Sequence, residues 1–325
     1  MNGLLDKSEY GFLKTKPDLK NVIYLVLSGS HAYGTFTETS DYDLRGVLIE
    51  RPEYLYGLNS FEQFEDLPSD TVIYGLRKFA GLLSKANPNA LELLGVEKES
   101  VVLIYEPGRM LRENADLFLS KRAINSFGSY ALAQLRRLQN ALCHDNYTDL
   151  QKQKHMQDVM SSQMDHFQRT YTKFPDGAIN VYSDGEKLKL DVTLSDYPVS
   201  DFLGIYSELA NIVKTYNKLN NRNNKKSDQG LYKHAMHLVR LLLTGTDILE
   251  GRGIVTKRNA EYGLLMDIRN GKIPFDEIFA MVDEYNRKFE AAVKTTKLPD
   301  EPDYHAIDRL MIEIYAIGYK AINNN

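Results

Sequence analysis

The sequence predicts an α+β fold in which an N-terminal α/β domain is followed by a mostly helical C-terminal domain. In residues 1–120, short β-branched runs of strand length alternate with segments whose apolar residues have helical spacing. That alternation is typical of α/β domains. In residues 121–325, nearly every segment has helical spacing instead. The predicted domain boundary therefore lies after residue 120.

Four predicted strands define the N-terminal domain. Val22–Leu27 is a continuous apolar run, as expected of a strand buried on both faces. The other three are Asp43–Glu50, Thr71–Tyr74 and Val101–Tyr105. A helix is predicted over Leu76–Ser84, and it ends before Asn87-Pro88 because proline disfavours helix in the residue that precedes it.

The C-terminal domain is predicted to contain five main helices and one β-hairpin. The helices are Ile124–Ala141, Leu231–Leu243, Asn259–Arg269, Phe275–Val293 and Tyr304–Ile322. The hairpin joins Ala178–Tyr182 to Lys187–Val192, because Ser183-Asp184-Gly185 is a good turn sequence. The Asn-rich segment Asn220–Ser227 is predicted to be an exposed loop, and residues 175–225 to be an insertion.

Composition narrows the class of protein. At roughly 100–200 residues per domain, 325 residues suggest about two domains. The net charge of −4 excludes a global basic field that would attract nucleic acid. A single cysteine, Cys143, cannot form an internal disulfide, and no apolar run reaches the roughly 20 residues of a membrane span. With no signal-peptide pattern at its start, the chain is predicted to be cytoplasmic, in the host cell if a phage encodes it.

The segment from Leu27 to Val47 contains the residues that point to chemistry. A buried strand runs into Gly29-Ser30, which can offer backbone N–H groups and a hydroxyl to phosphate oxygens. Asp41 and Asp43 are at i and i+2, so in a strand they would project from the same face. Two carboxylates that close repel each other unless a cation lies between them, and Mg²⁺ or Mn²⁺ suits such oxygen ligands.

Gly29-Ser30 followed by Asp41-Tyr42-Asp43 resembles the nucleotidyltransferase signature of the DNA polymerase β superfamily. The longer strings Gly29–Thr35 and Ser40–Gly46 resemble the predicted nucleotidyltransferases found beside RNA-repair ligases in bacteria and tailed phages. Further blocks that resemble this family are Leu76–Phe79, Asn87–Glu92, Lys233–Leu241 and Leu298-Pro299.

The resemblance implies a small mixed sheet and two metal ions held by three carboxylates. Two of these would be Asp41 and Asp43. The third is expected to be Asp70, which would also help the acceptor hydroxyl to lose its proton; its rivals are Glu62, Glu65 and Asp66. Gly29 and Ser30 would hold the β- and γ-phosphates of the nucleotide.

The implied reaction moves a nucleoside monophosphate from an NTP to a hydroxyl, with an RNA or tRNA end as the first choice of acceptor. A protein hydroxyl (AMPylation) and a small molecule stay open as acceptors. A catalytically silent nucleotide- or RNA-binding module on the same fold is the alternative from another class.

Four basic residues are predicted to bind the nucleotide. Arg45 would touch phosphate or hold the carboxylates, the alternative being a surface-facing strand arginine. Lys233, His237 and Arg240 share one face of a helix that is apolar on most other sides, so the helix is predicted to be buried. Buried cations need partners. Phosphates in a cleft would provide them, and carboxylates in a structural network are the alternative.

Other polar residues allow two interpretations. Asn87 and Glu92 are in a family block, but Asn before Pro is also an ordinary turn residue. The residues His155, Asp158, Asp165 and His166 match no familiar zinc spacing and are predicted to bind no metal. The Asn220–Lys226 loop is predicted to be solvated, with an RNA-phosphate contact as the less favoured alternative.

Overall fold

The structure is a computed structural model that describes residue 5 and residues 7–142, 149–171, 173–184, 187–220 and 228–323. The described chain forms two compact units. The first comprises residues 1–131 and 236–325, and the second comprises residues 132–235. The predictions for Cys143, for Gly185 and for residues 221–227 lie outside the described residues.

A five-stranded mixed sheet is the centre of the first unit. Its strands are β1 (Val22–Leu27), β2 (Leu44–Leu48), β3 (Gln63–Asp66), β4 (Thr71–Gly75) and β5 (Val101–Ile104), in the order β3-β4-β2-β1-β5. β2 and β4 are parallel, and the other pairs are antiparallel. All six residues of β1 are buried, as the apolar run predicts.

Helices account for most of the rest of the first unit. They are α1 (Phe12–Thr15), α2 (Gly29–Tyr33), α3 (Pro52–Tyr56), α4 (Leu76–Ser84), α5 (Pro88–Leu94), α6 (Glu106–Glu113), α11 (Tyr262–Arg269), α12 (Phe275–Thr295) and α13 (Tyr304–Asn323). Two more helices, α7 (Arg122–Ala141) and α10 (Asp228–Leu249), have one part in each unit. The apolar face predicted for α4 is buried. α5 begins where Asn87 caps it by accepting from the Ala90 N–H at 3.2 Å.

The second unit contains α8 (Asp149–Thr170), α9 (Val199–Asn220) and the hairpin of β6 (Ile179–Ser183) and β7 (Leu188–Val192). The antiparallel pairing of β6 and β7 confirms the predicted hairpin. The core of the second unit is apolar and includes Phe167, Ile205 and Ile212. Arg136 in α7 forms an ion pair of 2.8 Å with Glu208 in α9.

Polar anchors on the sheet explain why the last helix belongs to the first unit. Glu50, just after β2, is 2% exposed and accepts hydrogen bonds from Tyr315 Oη at 2.7 Å and from the Arg77 N–H at 3.0 Å. Tyr319 Oη donates to the Glu50 carbonyl at 2.5 Å. The described residues from 236 to 323 are thus grouped with the sheet in one compact unit.

The α+β fold class is confirmed: the described residues are mostly helical and form a mixed five-stranded sheet plus a small second sheet. One strand, β3, was not predicted. It is polar at three of its four positions, Gln63, Glu65 and Asp66, and it lies at the edge of the sheet. An edge strand without an apolar face gives no hydrophobic alternation to detect.

Candidate active site

The turn between β1 and α2 holds the first two predicted site residues. Gly29 has a φ of +59°, in the left-handed region that glycine adopts without a Cβ penalty. A Cβ at this position would overlap Oδ2 of Asp43. The Asp43 carboxylate therefore lies directly against the α-carbon of Gly29, and only glycine leaves room for it there.

Backbone pairing fixes this contact. The Ser28 N–H donates to the Asp43 carbonyl at 2.8 Å, which extends the β1–β2 pairing by one step beyond Leu27 and Leu44. Ser30 follows in α2, and its carbonyl accepts from the Thr35 N–H at 2.9 Å. Within the described part of the chain its hydroxyl makes no hydrogen bond, so it is available to a ligand. The structure thus brings Gly29, Ser30 and Asp43 together.

Asp41 and Asp43 precede β2 instead of lying within it, because the strand begins at Leu44. Asp41 is exposed and Asp43 is half-buried. Both residues are in the segment that connects the end of α2 to the start of β2. The predicted proximity of Asp43 to the Gly29-Ser30 turn is present, although the two aspartates are not part of a regular strand.

Asp70 lies directly before β4, at the same end of the parallel strands as Asp43. Because β2 and β4 are parallel with Leu44 opposite Thr71, the preceding residues Asp43 and Asp70 are neighbours in register. Arg45 Nη2 donates to Asp70 Oδ1 at 2.8 Å, and Arg45 Nη1 donates to the Asp70 carbonyl. Arg45 therefore holds a carboxylate, which is one of the two roles predicted for it. Asp70 precedes a strand, so it is no helix cap.

The rival third carboxylates have other partners. Asp66 accepts from the Ser69 hydroxyl at 2.6 Å and from its N–H at 3.1 Å, which closes the β3–β4 turn. Glu62 pairs with Lys78 at 2.7 Å, and this hydrogen bond lowers the pKa of Glu62. Glu65 accepts from the side chain of its neighbour two residues earlier. Of the four acids, Asp70 is next to Asp43 in strand register.

The carboxylates fit a metal ion only in part. Among the described residues, no group of three or more His, Cys, Asp or Glu side chains is arranged to hold a metal. Asp70 is paired with Arg45, whereas Asp43 lies against Gly29 and Asp41 is exposed. Two carboxylates suit Mg²⁺, which is commonly bound by one or two carboxylates together with waters and substrate phosphates.

Arg240 is fully buried, as the apolar character of α10 predicts. Its guanidinium forms an ion pair with Oε1 of Glu92, and its Nη2 lies 2.8 Å from Nδ1 of His237. Burial alone would lower the pKa of Arg240, but the charge of Glu92 raises it above its ordinary value. A guanidinium without exposed surface offers no donor to a phosphate in this arrangement. This geometry is the structural alternative for Arg240.

The remaining members of the α10 face divide between two environments. Lys233 is exposed and belongs to the second unit, whereas His237 is half-buried and belongs to the first. The ring of Tyr130 meets the His237 ring edge-on at 6.1 Å. The three basic residues predicted to share a face therefore do not form one exposed stripe.

Tyr33 connects the buried pair to α2. Its hydroxyl donates to Oε2 of Glu92 at 2.6 Å, and Cζ of Arg240 lies 3.5 Å from the centre of its ring. Burial raises the pKa of Tyr33 well above its ordinary value. Tyr33 is the last residue of α2, so this network of three side chains supports the helix that carries Ser30. Glu92 thus has a structural role, and Asn87 acts as the cap of α5.

Three aromatic rings and one arginine hold the loop between the turn and Asp41. The His31 ring stacks on Phe36 at 4.8 Å and on Tyr42 at 4.5 Å. Burial lowers the pKa of His31, and hydrogen bonds to the backbone of Ser40 and Asp41 partly oppose this effect. Arg269 in α11 donates to the carbonyl of Thr35. These residues are not predicted from the sequence as parts of a site, although His31 and Tyr42 lie within the strings that resemble the family and Phe36 directly follows one of them.

The histidines of the second unit form no metal site among the described residues. His155 is partly buried, which lowers its pKa, while the charge of Asp158 acts in the opposite direction. His166 lies 3.8 Å from Glu208, and the side chain of Asp165 is outside the described residues. In addition, no described helix has the length and hydropathy of a membrane span.

Sequence comparisons with known proteins show the family of this chain. The sequence model of the RNA repair pathway DNA polymerase beta family, RlaP, matches residues 9–313. The uncharacterized protein YcgL of Bacillus subtilis (strain 168) is 30% identical over 89 residues, which are 26% of this chain and 33% of that protein. The chain thus spans about a third of the length of this curated relative. No solved structure gives a significant match. Since the family match covers nearly the whole chain, the protein belongs to the RNA repair pathway DNA polymerase beta family.

Proposed function

We propose that this protein is a metal-dependent nucleotidyltransferase that moves a nucleoside monophosphate from an NTP to the hydroxyl of an RNA or tRNA end. Membership of the family indicates a nucleotidyltransferase-like role in RNA repair. The metal, the nucleotide and the acceptor are our proposal, as is a cytoplasmic location.

One observation carries the proposal: the carboxylate of Asp43 lies against the left-handed Gly29, one residue before Ser30. A phosphate held by the Ser30 hydroxyl and by backbone N–H groups of the turn would therefore be next to a carboxylate. Phosphates and carboxylates repel each other in water, so this arrangement serves a ligand that brings a cation with it. A nucleoside triphosphate bound with Mg²⁺ is such a ligand.

Asp41 and Asp43 would hold the metal, Mg²⁺ or Mn²⁺. When bound, the metal would neutralise charge on the triphosphate and lower the pKa of an oxygen bound to it. The family resemblance implies two ions. Of the three predicted ligands, Asp43 lies against the turn, Asp41 is exposed and Asp70 is paired with Arg45.

The residues of the chain would divide the reaction between them. Ser30 would hold the β- and γ-phosphates while the acceptor oxygen forms a bond to the α-phosphorus. The bond from the α-phosphorus to the bridging oxygen breaks, and pyrophosphate leaves with the bonding electrons. Asp70 would accept the proton that the acceptor hydroxyl loses. Phosphoryl transfer of this kind requires positioning and charge neutralisation more than covalent chemistry by the protein.

A catalytically silent nucleotide- or RNA-binding module is the second candidate, and the Arg45–Asp70 pair favours it. In that case Arg45 keeps the third carboxylate away from the substrate permanently. In the enzyme, the exposed Asp70 would exchange Arg45 for the acceptor, which is possible because 59% of its side-chain surface is accessible. Transfer to a protein hydroxyl uses the same donor chemistry and differs only in the acceptor.

The experiment follows the label of the α-phosphate. The protein is incubated with each α-³²P-labelled NTP, Mg²⁺ and RNA strands with either a 3′-hydroxyl or a blocked 3′ end. We expect release of pyrophosphate and attachment of the label to the RNA that has a free hydroxyl, both abolished by EDTA. Label on the protein itself would indicate AMPylation-type transfer. NTP binding without pyrophosphate release on any of these acceptors would favour the silent module.

A further inference from the structure

The loop from Gly34 to Tyr42 is bordered by two cations from the C-terminal part of the same unit. Arg269 donates to the Thr35 carbonyl and, at 3.3 Å, to the Ser40 hydroxyl. The aliphatic stem of Lys257 runs along Gly34, with Cε 3.5 Å from where a Cβ of that glycine would be. The two cations therefore reach adjacent residues of the loop.

Neither cation is neutralised by an acidic side chain in the described part of the chain. Arg269 forms hydrogen bonds only to uncharged oxygens there, and burial lowers its pKa. No nitrogen atom of Arg269 is both buried and without a hydrogen-bond partner, so the N–H groups that make no hydrogen bond in the described chain are accessible to solvent. Lys257 is exposed and makes no ion pair with any described residue. Buried or half-buried cations are normally paired with acidic side chains, so the positive charge beside this loop is available to a ligand.

The same loop presents an open aromatic face. Two rings with centres as close to His31 as those of Phe36 and Tyr42 cannot share one face of it, so the imidazole lies between them. Lys7 lies over the Tyr42 ring at 4.9 Å and caps that end of the stack. At the other end, Phe36 is 52% exposed. The stack therefore ends in a ring that a further flat group could cover.

Spare cations beside an exposed aromatic ring are the combination with which proteins bind single-stranded nucleic acid: the cations contact phosphates, and bases stack on the ring. We infer that Phe36, Lys257 and Arg269 form the binding site for the single-stranded end of the acceptor, with a base on Phe36 and backbone phosphates on the two cations. This inference rests on the proposed function for the direction of the strand, which would place its hydroxyl beside Asp41.

A site for the NTP alone is the rival, because a triphosphate also binds cations. The aromatic stack favours the acceptor. The Gly29-Ser30 turn already offers a hydroxyl and backbone donors to the triphosphate, whereas the loop adds a stacking surface and two cations at a separate position along the chain.

The test measures binding of a fluorescein-labelled single-stranded RNA of about 12 nucleotides, a length within the site sizes of known single-strand binders. Fluorescence anisotropy is recorded at several salt concentrations, without NTP. Binding of a non-hydrolysable NTP with Mg²⁺ is measured separately by calorimetry. The variants are Phe36→Ala, Lys257→Gln and Arg269→Gln. The matched controls are Tyr56→Ala, with a ring that is 84% exposed, and Lys98→Gln, an exposed lysine of the same unit.

We expect Phe36→Ala to weaken RNA binding on the order of 5- to 100-fold, because one base loses its stacking partner. Lys257→Gln should reduce the slope of log K against log salt by about 0.7, which corresponds to one phosphate contact on a single strand. Both controls should bind RNA as the wild type does, and NTP binding should be unchanged in Phe36→Ala and Lys257→Gln.

Three results would overturn the inference: no RNA binding by the wild type, RNA binding by Phe36→Ala and Lys257→Gln equal to that of the controls, or a loss confined to NTP binding. Arg269 also holds the loop, so a thermal melt accompanies Arg269→Gln, and Lys257→Gln decides if that variant does not fold. Because RNA binding is measured at equilibrium without NTP, it does not depend on whether the protein transfers a nucleotide. The proposed function and this inference can therefore fail separately.

Discussion

Replacing Arg240 with alanine would leave Glu92 buried without its cationic partner. The guanidinium is 0% exposed and the Glu92 side chain only 4% exposed, so water cannot take the place of the lost charge. Removing one partner of a buried ion pair typically costs about 3–5 kcal/mol. For a folding unit of 150–250 residues, about 2–4 °C of melting temperature correspond to each kcal/mol. We therefore expect the melting temperature of Arg240→Ala to fall by about 6–20 °C.

Thermal melts with and without Mg²⁺ and a non-hydrolysable NTP measure this effect. The matched control is Arg109→Ala, which removes a salt bridge to Glu106 whose side chains are 50% and 58% exposed. Exposed pairs contribute at most about 1 kcal/mol, so the control should melt within about 4 °C of the wild type. The NTP-induced rise in melting temperature should be unchanged in Arg240→Ala if the variant still folds.

The opposite pattern would refute this reasoning. If Arg240→Ala melts like the wild type but loses its response to NTP, then Arg240 binds phosphate and the Glu92 pair is incidental. A second check uses Glu92→Gln. The effects of the two substitutions should not add in the double variant, because both remove the same interaction.

Three further predictions concern the turn and an alkaline transition. Gly29→Ala should destabilise the protein by at least about 1–2 kcal/mol in chemical denaturation, because the new Cβ meets both a left-handed φ and the Asp43 carboxylate. The control Gly81→Ala, where nothing lies within 4 Å, should be neutral or stabilising. Equal effects of the two substitutions would contradict the contact between Gly29 and Asp43. Ser30→Ala should weaken NTP binding on the order of 10- to 100-fold, the cost of one hydrogen bond to a charged group, and unchanged calorimetric affinity would show that Ser30 only shapes the turn. Burial raises the pKa of Tyr10 to about 12. The stability that this protonated phenol contributes is therefore complete below its unfolded pKa of about 10 and is lost as the pH rises towards about 12. Tyr10→Phe should reduce this alkaline loss of stability in melts recorded from about pH 10 to about pH 12, and an identical loss in the variant would exclude Tyr10 as the source.

Local pattern is sufficient for the parts of the structure that depend on neighbouring residues. Val22–Leu27 is predicted with its observed bounds because a continuous apolar run of that length is buried on both faces. The Gly29-Ser30 turn and Asp43 come together because the strand before the turn pairs with the strand after Asp43. A hairpin-like return of the chain brings such residues close whatever the rest of the protein does.

Pairing over long sequence distances could not be predicted. The helical pattern of α10 shows that Arg240 is buried and needs a partner, but the partner, Glu92, is 148 residues away. Arg269 reaches Thr35 across 234 residues, and nothing in the sequence around either residue indicates the contact. The contact that joins the last helix to the sheet is of the same kind, since Tyr315 binds Glu50 from 265 residues away.

Single-turnover transfer by Asp43→Asn tests the central claim most directly. Asparagine keeps the shape that fits against Gly29 but removes the charge that would hold a metal ion. We expect Asp43→Asn to abolish transfer of the labelled monophosphate to RNA. Its melting temperature should be unchanged or higher, because repulsion between Asp41 and Asp43 would be relieved. The control Asp308→Asn, at an exposed aspartate of α13, should retain full activity. Retention by Asp43→Asn of more than about a tenth of the wild-type rate, equivalent to a loss of less than about 1.4 kcal/mol of transition-state stabilisation, would contradict a catalytic role for this carboxylate.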